Sequence, residues 1–499
     1  MHLSILLDMA AEAMPDRIAA SSAQGAVTYA ELRERARSLA VSLGQQPGER
    51  TVFLGVNSLA VPLTLFASAL AGTSFTPLNY RLTDPDLRKI AERAAPGVAI
   101  VDDDMVHRIE GVPDLRIVTR SEILAMSLSG VGDELVSIPD PDDIAVLLFT
   151  SGTTGEPKAA LLRHTHVTSY VFETLDFASA EEDEAALVSV PPYHIAGISS
   201  AVSSLYTGRR VAYLENFSPQ GWVDGVAAQR VTHAMVVPTM LGRVLDVVEE
   251  TGQSLSTLQH LSYGGGRMPV EVIQRALDLL PGVNFVNAYG LTETSSTISV
   301  LGPADHREAL ASDDPAIRAR LGSVGRPHGG LEVSIRNDDG NEVDAGQSGE
   351  IWVRGAQVSG EYVGKASRAV DGWFPTNDGG HFDVGGYLYV EGRLDDVIVR
   401  GGENISPGEI EDVIRRHPAI DDVAVLGLPS QEWGEQVAAA IVLKDGVQLD
   451  ADDLRTFVRT KLRSTKVPET IEFRSELPYN ETGKLLRRVL RMELASNSS

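Results

Sequence analysis

Short apolar runs separated by helical spacing set the tightest limit on what this chain can become. They fall at residues 52–54, 98–101, 144–149, 187–190, 234–237 and 285–288. Each resembles a buried strand in being apolar on successive residues, while in the shorter runs this pattern does not separate strand from helix. Amphipathic segments lie between many of them. One begins at Thr28-Tyr-Ala-Glu31, a spacing suited to a capping box, and continues through Leu32, Ala36, Leu39, Ala40 and Leu43 to Gly44. Strand and helix in alternation imply α/β layering with largely parallel pairing.

The pattern changes twice. After Gly322, alternating segments at 331–336, 350–354 and 387–390 are separated by Asp/Gly-rich turns, which predicts a β-rich subdomain. From Pro407 the order becomes helix (408–416), strand (423–426), strand (437–443), helix (451–462) and strand (471–474). That order fits a compact α+β domain of roughly 100 residues. A chain of 499 residues exceeds the size at which one core keeps growing, so a large body plus a smaller unit is expected.

Composition excludes several function classes. The net charge of -26 disfavours nucleic acid and anionic lipid as partners. With no cysteine, disulfides, thiolate nucleophiles and Cys-ligated zinc are all excluded, and a reducing cytoplasm is the expected location. Asp8, Glu12 and Asp16 interrupt the amino terminus, so no secretory signal is expected there, and no apolar stretch suggests integral membrane association.

The densest chemical signal is Phe149-Thr150-Ser151-Gly152-Thr153-Thr154-Gly155-Glu156-Pro157-Lys158, directly after an apolar run. Glycines allow close backbone approach to phosphate, hydroxyls donate hydrogen bonds, and the lysine supplies mobile positive charge. The spacing is not that of a Walker A loop, and no nucleophile elbow, H-E-x-x-H or dinucleotide fingerprint is present. Further candidates follow. Tyr289 can stack on a purine, and Gly264, Gly265 and Gly266 let a planar base come near the backbone. Glu293 is a hard carboxylate suited to Mg²⁺. Asp378 can accept ribose hydroxyls, with Arg393 donating nearby. Taken singly, Tyr289 reads equally as a core aromatic, Glu293 as a solvated glutamate, and Asp378 and Arg393 as surface charges.

Together these segments resemble the adenylate-forming, AMP-binding superfamily of acyl-CoA synthetases, peptide-synthetase adenylation domains and firefly luciferase. The 149–158 segment is similar to its signature loop. Pro191-Pro-Tyr-His194-Ile-Ala-Gly197 resembles its gating segment, and Asn287-Ala288-Tyr289-Gly290-Leu291-Thr292-Glu293 its nucleotide motif. Ser323-Val-Gly-Arg-Pro327, Asp371 to Asp378, Gly392-Arg393-Leu-Asp395-Asp396, Gly401-Gly402-Glu-Asn-Ile and Asn480-Glu-Thr-Gly-Lys484 follow in the family's order. The resemblance implies an AMP-forming acyl-CoA synthetase for a fatty or aromatic acid, using ATP, Mg²⁺ and CoA. Transfer to a separate carrier protein, an amine or another nucleophile is the alternative, and a non-catalytic nucleotide-binding protein is a further one.

By the same resemblance, Thr150 to Gly155, Lys158, Gly264 to Gly266, Asn287 to Gly290, Thr292, Asp378, Arg393 and Lys484 hold ATP, and Thr150 and Glu293 serve the metal. The catalytic set is Lys484, His194, Thr150 and Glu293. His194, Ala196, Val237, Gly264, Ala288 and Gly290 line the acyl pocket. His194 is expected to shape the carboxylate's approach rather than act as a base, because a carboxylate is already ionised at pH 7. Residues 1–394 form the AMP- and acyl-binding domain, and residues 395–499 a mobile lid that turns about Asp395 to bring Gly401 and Gly402 toward CoA. The sequence ends shortly after Lys484, so CoA is expected in place of a fused carrier domain; a homodimer is compatible. Two departures bear on local geometry: Ala159 replaces the glycine usual after the loop lysine, and Thr376-Asn377-Asp378 replaces Thr-Gly-Asp.

Overall fold

A computed structural model describes the chain except for residues 45, 47, 48, 127–139, 151–156, 366, 402, 431, 480–484, 498 and 499. Ser151, Gly152, Thr153, Thr154, Gly155, Gly402 and Lys484 therefore lie outside the described residues.

Two large sheets form the amino-terminal body. The first runs in spatial order Glu361–Tyr362, Lys158–Arg163, Ile144–Thr150, Ser74–Pro77, Arg50–Leu54, Gly97–Val101 and Leu115–Thr119. Pairing from Ile144–Thr150 through Leu115–Thr119 is parallel, as expected for strands whose connections carry helices. In the second sheet, Asn284–Leu291, His260–Gly264, His233–Val236, Ala185–Val188, Arg210–Tyr213 and Ile18–Ser22 are parallel neighbours, with antiparallel strands at both ends. Helix Tyr29–Leu43 carries the expected capping box: the Thr28 hydroxyl accepts from Glu31 N–H, and the Glu31 carboxylate accepts from Thr28 N–H. One continuous core joins its apolar stripe (Leu32, Ala36, Leu39) to Phe53, Phe66, Phe75 and Leu205.

The β-rich subdomain is a four-stranded antiparallel sheet, Glu332–Arg336, Gly349–Arg354, Phe374–Phe382 and Leu388–Arg393. Phe374–Phe382 is an addition to the sequence reading. Its sequence, FPTNDGGHF, has low strand propensity, and hydrogen bonding to neighbours on both sides makes it extended. Beyond it, a five-stranded sheet is built around the long pair Ile420–Ser430 and Gly434–Leu443. Its alternation is strict. Val423, Val425, Ala439 and Ile441 pack with Ile410, Ile414, Leu454 and Val458, while Ala424, Leu426, Ala438 and Ala440 pack with Leu490 and Leu494 on the opposite face. Among the described residues no helix is long and apolar enough to cross a membrane.

Near the amino terminus, His2 and His164 stack with ring centroids 3.8 Å apart, and both are buried. Burial pushes His2 down to about 4 and His164 down to about 3. In the unfolded chain both titrate near 6.5, so below that pH the unfolded state binds more protons. Their contribution to stability is complete above about pH 6.5 and is lost as the pH falls toward 4. Lowering the pH from 7 to 5 should reduce the urea midpoint, and His164→Gln should weaken that dependence by about 1 to 2 kcal/mol. Identical pH slopes for the two proteins would contradict this account.

Candidate active site

The nucleotide corner is made where two parallel strands approach too closely for side chains. Gly264 ends the strand His260–Gly264 opposite Ala288, and a Cβ there would meet the Ala288 carbonyl oxygen at 2.2 Å. Gly290 lies at a register shift against Ser296–Leu301, where a Cβ would come within 1.8 Å of the Ser296 carbonyl oxygen. Gly265 and Gly266 continue into an exposed turn that passes over Val237 and Pro238. The acyl candidates Val237, Gly264, Ala288 and Gly290 are thus carried by adjoining strand ends. Asn287 is committed elsewhere: its Nδ2 donates to the Ser323 carbonyl at 3.0 Å in a buried position.

Tyr289, Asp378 and Arg393 meet directly. The Tyr289 hydroxyl donates to Asp378 Oδ2 at 2.6 Å, and Arg393 Nε pairs with Asp378 Oδ1 at 2.9 Å. Arg393 also donates to the Thr376 carbonyl at 3.0 Å. Asp378 is only 5% exposed and sits opposite Arg393 in the strand register. Burial first, and the Asp378 charge second, push the Tyr289 phenol well above its ordinary range, so it remains a donor. Asn377 adopts a left-handed backbone, φ +63°, which asparagine tolerates better than most non-glycine residues. That explains how it fills a place where glycine is usual. Ala159 is accommodated more simply: it lies inside the strand Lys158–Arg163, paired with Phe149.

At the phosphate corner, Thr150 and Lys158 are strand partners, and the Thr150 hydroxyl donates to the Lys158 carbonyl at 3.3 Å. Glu293 follows Thr292 in a short turn after the strand Asn284–Leu291. Its Oε1 accepts from the Tyr362 hydroxyl at 2.5 Å, and the Lys158 ammonium lies 5.8 Å from the centre of the Tyr362 ring. Among the described residues no three His, Cys, Asp or Glu side chains converge as a metal-binding group. A single carboxylate that shares Tyr362 with Lys158 fits Mg²⁺, which takes one or two carboxylates and fills its shell with phosphate oxygens and water.

His194 is the residue capping the start of helix Ile195–Thr207; the preceding strand ends earlier, at Val188. Its ring lies 4.5 Å from that of Tyr193. Burial first and the charge of Arg81 second lower its pKa to about 4, so it is neutral at pH 7, in keeping with a shaping role. Ala196 follows in the same helix, which Ser199 joins to the glycine corner: Ser296 Oγ donates to Ser199 Oγ at 3.1 Å. These serines are far apart in sequence and carried no motif, so only the fold reveals them. Asp395 sits in an exposed turn and accepts from Asn377 Nδ2 at 2.9 Å. Gly401, with φ +57°, rests against Trp433 in the following hairpin.

The model of AMP-binding enzymes matches residues 7–363, and that of the AMP-binding enzyme C-terminal domain matches residues 409–484. The chain belongs to the AMP-binding enzyme family. It is similar to a feruloyl-CoA synthase of Amycolatopsis sp. (34% identity, covering 93% of this chain and 94% of the relative). It is also similar to a fatty acid–[acyl-carrier-protein] ligase, ScoC, of Streptomyces coeruleorubidus (32% identity, 93% and 91%). Among solved structures it resembles the o-succinylbenzoate CoA synthetase of Bacillus subtilis in complex with its acyl-adenylate intermediate, with TM-score 0.85, 27% identity and 97% coverage of both chains. The same synthetase with ATP and a magnesium ion matches with TM-score 0.82, 27% identity and coverage of 97% and 98%. This AMP-binding enzyme is an AMP-forming acid–thiol ligase, similar over more than nine-tenths of its length to proteins named as CoA synthases or synthetases, one of them solved with ATP and a magnesium ion.

If the buried Asp378 carboxylate receives the ribose hydroxyls, Asp378→Ala should weaken ATP binding about 10- to 100-fold, the scale of a lost charged hydrogen-bonding group. Acid binding should change little. Titration calorimetry giving an unaltered ATP affinity would rule out this role.

Proposed function

We propose that this AMP-binding enzyme activates an aromatic or aliphatic monocarboxylic acid, with residues 1–394 binding ATP and acid and residues 395–499 acting as a lid that turns about Asp395. The observation that supports this reading is the Tyr289–Asp378–Arg393 constellation, in which an aromatic phenol and a guanidinium meet the two oxygens of one buried carboxylate. Gly264, Gly265 and Gly266 leave room for the base, while Thr150, Ser151, Gly152, Thr153, Thr154, Gly155 and Lys158 are the residues proposed to receive the triphosphate. Thr292 continues the nucleotide wall. Ala288 and Gly290 have their backbones at this corner, whereas Asn287 supports it from behind.

The acid's carboxylate oxygen attacks the α-phosphorus. As the new P–O bond forms, the α–β bridging bond breaks and its electron pair leaves with pyrophosphate. Glu293 and Thr150 would hold Mg²⁺, which when bound would supply charge to offset that building on the phosphates. Lys484 supplies pre-organised positive charge to the carboxylate and α-phosphate during this step. The lid then turns, withdrawing Lys484 and presenting Gly401 and Gly402. The CoA thiol, losing its proton, attacks the acyl carbon and AMP departs.

None of His194, Ala196, Val237, Gly264, Ala288 and Gly290 carries a positive charge at pH 7 that could receive a second carboxylate, which favours a monocarboxylic acid. The aromatic acid named for the feruloyl-CoA relative supports the aromatic end of that range. The carrier-protein ligase among the relatives supports the second reading, transfer to a separate carrier protein. A panel of acids assayed for ATP-dependent thioester formation, with CoA and with a carrier protein as acceptor, separates the two. A cytoplasmic location accords with the lack of cysteine. Light scattering on the purified chain distinguishes a monomer from a homodimer.

Products should be AMP and pyrophosphate; ADP and orthophosphate alone would refute the mechanism. Lys484→Ala should slow adenylation by about 10² to 10³, the scale of losing one pre-organised transition-state donor. Synthetic acyl-adenylate plus CoA should bypass the defect. If thioester formation from preformed adenylate falls as far as the complete reaction, the division of labour between Lys484 and the Gly401 hairpin is wrong.

A further inference from the structure

Tyr362 belongs to none of the motifs, yet it stands between the signature-loop lysine and the candidate metal carboxylate. Its two-residue strand, Glu361–Tyr362, pairs with Lys158–Arg163 so that Tyr362 lies opposite Ala160. Arg163 fastens this strand through Nε and Nη2 to the Glu361 carboxylate, at 3.1 and 2.6 Å, and Val363 N–H donates to the Ala159 carbonyl at 2.9 Å. The backbone carrying Tyr362 is therefore fixed to the strand on which Lys158 begins. The same segment holds the turn bearing Glu293, since Ser359 N–H donates to the Glu293 carbonyl at 2.8 Å. Across this gap the buried Tyr362 side chain reaches Glu293 Oε1 at 2.5 Å, its hydroxyl also faced by Arg368, while Lys158 lies over its ring.

A glutamate in a short turn has many rotamers, and ordering it when metal arrives costs binding free energy. A donor fixed to one carboxylate oxygen sets the direction in which the other can serve. We propose that Tyr362 is a positioning residue that holds Glu293 in its metal-binding rotamer and keeps it in register with Lys158. This deepens the functional reading and rests on Glu293 as the metal carboxylate.

The test uses Mn²⁺ as the probe, with binding of Mn²⁺·ATP and of metal-free ATP measured on the full chain by electron paramagnetic resonance and calorimetry. Tyr362→Phe keeps the ring beneath Lys158 and removes only the hydroxyl. It should weaken Mn²⁺·ATP binding about tenfold, leave metal-free ATP binding unchanged, and cause no further loss when added to Glu293→Gln. In pyrophosphate exchange it should raise the metal concentration required while sparing the rate at saturating metal. An equal loss of metal-free ATP binding would make Tyr362 merely structural. A full additional loss in the Glu293→Gln background would mean that it does not act through Glu293. If Glu293→Gln weakens Mn²⁺·ATP binding and Tyr362→Phe does not, the positioning role alone is refuted. If Glu293→Gln itself leaves Mn²⁺·ATP binding intact, the assignment of Glu293 falls, and this inference with it.

Discussion

Asp378 is a carboxylate almost withdrawn from water, and the architecture of the nucleotide corner is arranged to make that tolerable. An unpaired charge at this depth would be strongly unfavourable. Here Tyr289 and Arg393 each take one of its oxygens, and its own strand passes between two neighbours of an antiparallel sheet. Tyr289 comes from the large parallel sheet, and Asp378 and Arg393 from the β-rich subdomain. Meeting the needs of one buried charge therefore fixes the relative placement of two subdomains.

The chain as a whole is strongly anionic, whereas its proposed substrates are anions. Lys158 and Arg393 are the cations proposed to face the nucleotide, and Arg393 is already paired with Asp378. His194 and the His2–His164 pair are instead kept neutral by burial. If His194 faces the acid as proposed, its neutral imidazole gives shape and hydrogen-bonding capacity without adding charge.

Much of this was legible in the sequence because local chemistry and tertiary environment agree. Thr28 and Glu31 cap a helix whatever it packs against, and the apolar runs around 98–101 and 144–149 are strands because both of their faces are buried. The readings that changed concern residues whose environment is assembled from afar. The strand Phe374–Phe382 is extended by its neighbours and against its own composition. Asn287 lies in a nucleotide motif, but its amide is taken by Ser323, and His194 starts a helix after the strand has already ended. Ser199, Ser296 and Tyr362 carry no local signature. Asn377 is a milder case: a departure from glycine becomes intelligible once its backbone is seen to be left-handed.

The terminal sheet has cores on both faces, so it is stiff across its whole width. The hairpin containing Gly401 is hydrogen-bonded to the strand Gly434–Leu443 at one rim, and Tyr479 and Leu485, on either side of Lys484, bridge to each other and pack on the sheet's other face. Gly401 and the residues flanking position 484 are thus mounted on one inflexible plate. If the terminal domain turns about Asp395 as proposed, Gly401 and the flanks of position 484 would move as one body, and exchanging one for the other at the cleft would need no signal passing between them.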